Sequence, residues 1–303
     1  MASDYLFRAT SKDGSIRALV ATTTNLVAEA QRRHDTAATA TAALGRALTA
    51  AGLFAATLKD GESITLRFIG DGPIGGIITE ADHAGNIRGY VQEPHADLSA
   101  RPDGKLDVGG VVGSNGYVHV TRDLRMREPY TSSAALVSGE IAVDLSNYFL
   151  VSEQTPSAVS LGVLVERDLT VRAAGGFFLQ ALPGAAEDVI RGLEANVGLM
   201  PSISAAIDQG MTPEGILRLA LAGIDYEIVG RQELRYHCRC DRDRVERALI
   251  SVGERDLREM ADDDRPVEMT CHFCGQRYEF SPDELRHLLA RATPPDGEKH
   301  LHS

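Results

Sequence analysis

Residues 63–91 read SITLRFIGDGPIGGIITEADHAGNIRGYV. Ile64, Leu66 and Phe68 alternate with polar residues, the period of two that marks a half-buried strand. Two further apolar runs flank a turn at His83–Asn86, so the stretch predicts three successive strands. Between the first two lies Gly70-Asp71-Gly72-Pro73-Ile74-Gly75-Gly76. It lacks both the lysine–serine ending of a phosphate loop and dinucleotide spacing, and is read as a strand-to-strand turn.

Toward the N-terminus, a short strand precedes an alanine- and leucine-rich stretch from Thr24 to Thr57. A helix is expected from Asn25, and a second, capped by Asp35 or Thr36, to about Leu58. Toward the C-terminus, Asn115–Gly116 between Val111–Val112 and Val118–Val120 predicts a hairpin. A helix follows over Gly139–Leu150, stopped by Pro156, and then a strand pair at Ser160–Val165 and Thr170–Ala173. These elements make residues 1–183 a mixed α+β domain. Residues 184–225 form a short-helix connector: Pro201 and Pro213 sit at helix starts, Gly198 and Gly210 at helix ends. A small C-terminal domain is expected over residues 226–293, with a frayed tail at 294–303.

The 303 residues are 43% hydrophobic, enough for a proper core in two domains. No run reaches the roughly 18 apolar residues of a membrane span, and the first residues do not read as a signal peptide, so a cytoplasmic location without membrane contact is expected. A formal charge of −12 argues against nucleic acid as a partner. Aromatic residues are 5% of the chain and tryptophan is absent, which removes stacking platforms for bases. No HExxH, GxSxG or calcium-loop pattern occurs, and no carboxylate pair separates into an acid and a base. The chain is not expected to be an enzyme.

All four cysteines fall within 37 residues, as Cys238-x-Cys240 and Cys271-x-x-Cys274. A secreted disulfide scaffold spreads its cysteines over the fold; clustering points to metal or redox chemistry. Four thiolates in two close pairs supply the closed tetrahedron that structural zinc prefers, so one Zn²⁺ held by Cys238, Cys240, Cys271 and Cys274 is expected. Of the 30 residues between Cys240 and Cys271, ten are acidic and six are arginine. So charged a segment buries little apolar surface and needs another source of stability. TCHFCGQRYEF has the look of a zinc knuckle, with Gly275 for a tight turn and Tyr278 and Phe280 packing in the adjoining strand. Two sulfurs one residue apart can share a metal or close a small strained disulfide, the kind that tends to be regulatory. Arg235, Arg239 and Arg277 are near enough in sequence to offset thiolate charge. His237 and His272 would make a three-cysteine, one-histidine site; with four cysteines present they are read as neighbours of the site or exposed groups.

The chain resembles the redox-regulated heat shock protein 33 chaperones. The resemblance runs through GDGPIGG (70–76), GGVVGSNGYVHVTRD (109–123), YFLVSEQTPS (148–157), GGFFLQALPG (175–184), RYHCRC and CHFC. One departure is Asp241, directly after Cys240, where a small hydroxyl residue is expected. The resemblance implies an ATP-independent holdase, idle when the four cysteines bind zinc. It also implies oxidation to Cys238–Cys240 and Cys271–Cys274 disulfides, metal release, C-terminal unfolding, and holding of unfolding proteins, often as a homodimer. Physical reasoning adds that zinc loss would free the connector and its apolar residues Ile216, Leu217, Leu219, Ala220 and Leu221, which pack as ordinary core at rest.

Two other readings of the cysteines remain. Zinc could be purely structural in a protein- or nucleic-acid-binding adaptor. Alternatively, Cys271 and Cys274 could serve a thiol–disulfide oxidoreductase, although no strand–helix setting of the thioredoxin kind surrounds them.

Overall fold

The computed structural model describes residues 3–292. They fall into two compact units, the first ending at Cys238 and the second beginning at Arg239. The first unit opens with β1 (Tyr5–Ser11), β2 (Ile16–Thr22), α1 (Thr24–His34) and α2 (Ala38–Ala55). The three strands expected within residues 63–91 follow as β3 (Ser63–Ile69), β4 (Ile77–Asp82) and β5 (Asn86–Val91). Next come α3 (Val108–Val112), β6 (Tyr117–Asp123), β7 (Tyr130–Ala135), α4 (Ile141–Val151), β8 (Ser157–Val165) and β9 (Val171–Ala181). The helices α5 (Glu187–Leu199), α6 (Ile203–Asp208) and α7 (Pro213–Ala220) lead to β10 (Tyr226–Glu233) and β11 (Arg235–Tyr236). The expected α+β class holds.

The strands form two sheets, β10-β1-β2-β9-β8 and β11-β5-β4-β3-β6-β7. Every pairing is antiparallel except the short one between β11 and β5. Helix α2 packs against strands of both sheets, and from Thr39 to Ala55 only Arg46 escapes burial. Its alanines, threonines and glycines present little bulk, which lets strands approach on two sides. Arg46 is its one charge and pairs with Glu140 at the start of α4. The expected cap for α2, Asp35 or Thr36, is not the one used. Asp35 instead ends α1 in the left-handed conformation, and the Thr39 N–H in the first turn of α2 donates to Asp97 Oδ1 at 3.1 Å. That acceptor arrives from a loop 58 residues away, beyond the reach of local pattern reading.

The expected hairpin at Asn115–Gly116 does not form. Val111 and Val112 belong to α3, and their carbonyls accept from the Ile74 and Gly72 N–H groups, both at 3.0 Å. The glycine-rich turn is therefore a backbone-to-backbone junction with α3. A Cβ on Gly72 would sit 2.4 Å from the Val111 oxygen and 2.6 Å from the Gly113 nitrogen, so no other residue fits without moving main chain. Replacing Gly72 with Val is expected to cost about 3 kcal/mol, in the range of core overpacking. Calorimetry should record this as a fall of roughly 10 °C in the first unit's melting temperature; an unchanged melting temperature would contradict the junction.

The connector is better packed than its composition suggested. Leu193, Ile203, Ile216, Leu217, Ala220 and Leu221 are buried with Ile16, Ala18, Val20, Phe177 and Leu179 of β2 and β9, forming a second apolar cluster apart from the one around α2. Of the apolar set singled out in sequence, Leu219 alone is exposed. The start of the C-terminal domain, expected at Tyr226, and the boundary of the compact units differ. Strand β10 pairs with β1 from Tyr5↔Glu233 to Ser11↔Tyr226, so residues 226–238 belong to the first unit by hydrogen bonding. Pairing with a strand more than 200 residues earlier leaves no local signature.

The second unit holds α8 (Arg242–Ser251), α9 (Glu254–Asp262), the hairpin of β12 (Val267–Thr270) and β13 (Arg277–Phe280), and α10 (Pro282–Ala292). Its core consists of Leu249, Leu257, Ala261, Phe280, Leu285 and Leu288. That is a small apolar load for a folded segment of this length. The tail expected at 294–303 lies outside the described residues.

Candidate metal centre

The four cysteines converge. Their sulfur atoms lie within 4.8 Å of one another, the only group among the described residues with the makings of a metal site. The Cys240 and Cys274 sulfurs lie 3.3 Å apart. Sulfurs bound to zinc at about 2.3 Å in a tetrahedron stand roughly 3.8 Å apart, which falls between these two distances. Four soft sulfur donors with no carboxylate among them suit zinc and not a hard cation. The residues present therefore fit the expected metal.

Each pair is placed by its own local structure. Cys271 and Cys274 bracket the turn between β12 and β13. There the N–H groups of Cys274 and Gly275 donate to the Cys271 carbonyl at 3.2 and 2.8 Å, and the Cys271 N–H donates to the Gln276 carbonyl at 2.9 Å. Gly275 adopts a φ of 69°, the left-handed conformation that glycine enters without a steric cost. This is the knuckle that TCHFCGQRYEF predicts, and Phe280 is fully buried in the following strand. Cys240 stands immediately before α8. Asp241 caps that helix, its carboxylate accepting from the Arg244 N–H at 2.7 Å. A hydroxyl residue would serve the same purpose, so the departure from the family pattern preserves the cap. Cys274 is buried and the other three are half-buried.

Polar side chains, Tyr278 and Arg88 among them, reach the sulfurs. Tyr278 donates its hydroxyl to Cys240 at 3.3 Å, and this hydrogen bond, with burial, pushes the phenol well above its usual range. Arg88 of β5 donates through Nη1 to Cys238 at 3.5 Å and through Nη2 to Glu80 at 2.7 Å. Burial alone would pull this guanidinium down; Glu80 and Cys238 outweigh it and hold it above its ordinary value. Sequence reasoning assigned Tyr278 to packing and missed Arg88, which stands 150 residues before its cysteine. The arginines nearest in sequence point elsewhere in part: Arg235 donates to Asn86 at 2.7 Å, and Arg277 faces Glu268 at 3.7 Å. His237 and His272 are exposed and outside the sulfur cluster, as expected.

The Hsp33 protein family model matches residues 4–281. The 33 kDa chaperonin of Symbiobacterium thermophilum is 52% identical over 284 residues, covering 93% of this chain and 96% of that protein. Its counterpart from Desulforamulus reducens is 46% identical over 97% of this chain and 99% of its own length. Among solved structures, the crystal structure of the 33 kDa chaperonin from Thermotoga maritima superposes with a TM-score of 0.90 at 36% identity, over 96% of this chain and 99% of that one. Fold, cysteine cluster and relatives agree on a chaperone class. The chain belongs to the Hsp33 family. No helix among the described residues is long and apolar enough to cross a membrane.

Proposed function

We propose that this protein is a redox-regulated, ATP-independent holdase of the cytoplasm. It acts without catalysis, binding unfolding proteins under oxidative and heat stress. Cys238, Cys240, Cys271 and Cys274 hold one Zn²⁺ in the reduced, idle form. The metal supplies folding energy to a unit whose own core is small. The observation that carries the reading is the convergence of four sulfurs on that unit. The first unit's own apolar core supports a framework that stays folded when the second unit opens.

Oxidation joins Cys238 to Cys240 and Cys271 to Cys274. For each bond, two thiolates give two electrons to one hydrogen peroxide, which with two protons from solvent becomes two waters. Disulfide sulfurs no longer serve as thiolate ligands, so the unit loses the metal and its fold together. Residues 1–183 form the client-binding domain, 184–225 the connector, and 226–293 the switch, including strands that fold with the first unit at rest. Release of the connector would uncover two apolar faces at once: that of α5–α7, and that of β2 and β9 beneath them. Two such opened chains would pair as a homodimer.

The test is light scattering from a heat-denatured client. Reduced protein should leave aggregation unchanged, and peroxide-treated protein at elevated temperature should suppress it without nucleotide. Equal suppression by both forms would reduce the cysteines to a structural role, as in an adaptor. Turnover in an insulin-reduction assay would favour the oxidoreductase reading instead.

A further inference from the structure

We infer that Arg88 is a positioning residue of the metal centre: anchored on Glu80, its forked guanidinium holds the Cys238 sulfur in its ligating orientation and restrains its reactivity while it is ligated. The inference rests on the zinc reading above and adds a residue outside the cysteine motif.

The backbone brings the partners together by register. Glu80 of β4 stands directly opposite Arg88 of β5. On the other side of β5, β11 pairs Arg235 with Asn86 and Tyr236 with Ile87, and the His237 N–H continues the ladder to the Ile87 carbonyl at 2.9 Å. Tyr236 is pinned in turn. Its hydroxyl lies 3.1 Å from His34 Nε2 and 3.4 Å from the Gly89 carbonyl, and Arg33 stacks 5.2 Å from its ring centre. The chain therefore delivers Cys238 to Arg88 along a fixed path. Both members of the Arg88–Glu80 pair are largely withdrawn from solvent, at 17% and 19% side-chain exposure, so the fork is held in one geometry.

Because Glu80 balances the guanidinium charge, the effect on sulfur is a directed hydrogen bond more than a net field. Such a donor draws electron density from a thiolate and lowers its nucleophilicity. Lysine, a point charge without a fork, does not span both partners.

The experiment uses the full-length, zinc-loaded protein, with R88Q and R88K compared to wild type. Competition with a chromogenic chelator measures zinc affinity, and mass spectrometry measures the share of alkylation at Cys238 relative to Cys271 in the same molecules. R88Q is expected to weaken zinc about tenfold or more, the usual effect of losing a partner behind a metal ligand. The Cys238 share should rise roughly threefold in both variants, reflecting recovered nucleophilicity. R88K keeps a cation beside Glu80, so a normal melting temperature with a raised Cys238 share separates positioning from stability. Unchanged affinity and share, or a parallel rise at Cys238 and Cys271, would overturn the inference and leave the zinc switch standing. A wild type that binds no zinc would overturn both.

Discussion

Stripping zinc from the reduced protein, or replacing Cys274 with Ser, is expected to unfold residues 239–292 while the first unit stays folded. Structural zinc contributes on the order of 10 kcal/mol or more. The second unit has little to set against that loss. Its core is Leu249, Leu257, Ala261, Phe280, Leu285 and Leu288, and many of its ion pairs are exposed, such as Arg258–Glu254 and Arg265–Asp263. Exposed pairs of this kind each add about 1 kcal/mol at most. Cys274 is the most buried of the four cysteines and sits against Cys240, so its loss would open the proposed tetrahedron from inside. Amide exchange should show protection lost throughout residues 239–292 and retained in α2 and β9. Protection that survives chelation would mean that the six apolar residues suffice and that zinc is incidental to the fold.

The second expectation concerns which segment covers the client-binding face. A fragment ending at Ala222 should hold clients without oxidant or warming, whereas one ending at Cys238, which lacks the second unit but keeps the strand that tethers the connector, should hold them only at elevated temperature. Both lack the second unit and its three cysteines, but only the longer keeps β10 and β11. Without β10, all seven residues of β1 lose their partners on that side, and Tyr226 no longer packs beside α7. The helices α5–α7 then lack their C-terminal tether, and the face formed by Ile16, Val20 and Phe177 becomes accessible. Light scattering with each fragment, its fold confirmed by circular dichroism, decides the matter. Equal holding by the two without warming would take β10 out of the switch. A folded but inactive shorter fragment would take the covering strand and the lock out together.

The cysteine cluster was largely legible in the sequence, because its four members come in two short local motifs. The same holds for β3, β4 and β5, where alternation of Ile64, Leu66 and Phe68 writes out one strand face. What escaped depends on residues far apart in the chain. Val111 and Val112 look like half of a hairpin until the Gly72 backbone is seen against them. Tyr226–Glu233 looks like the start of a new domain until β1 is seen to lack an edge partner without it. Arg88 carries no mark of its role in the residues on either side, since Glu80 and Cys238 reach it across strands.

Helix α2 sets a limit on how far such a chaperone can open. A helix buried on nearly every side, whose one charge is already paired, would present to water the same kind of surface that marks an unfolding client. Were it exposed, the protein would compete for its own binding face and aggregate with the molecules it holds. On the proposed switch, opening would stop at the sheet that contains β1, β2 and β9, uncovering its outer side while α2 stays enclosed on the inner one. The two separate apolar clusters of the first unit allow that division: one would be expendable under stress, and the other would keep the holder from becoming cargo.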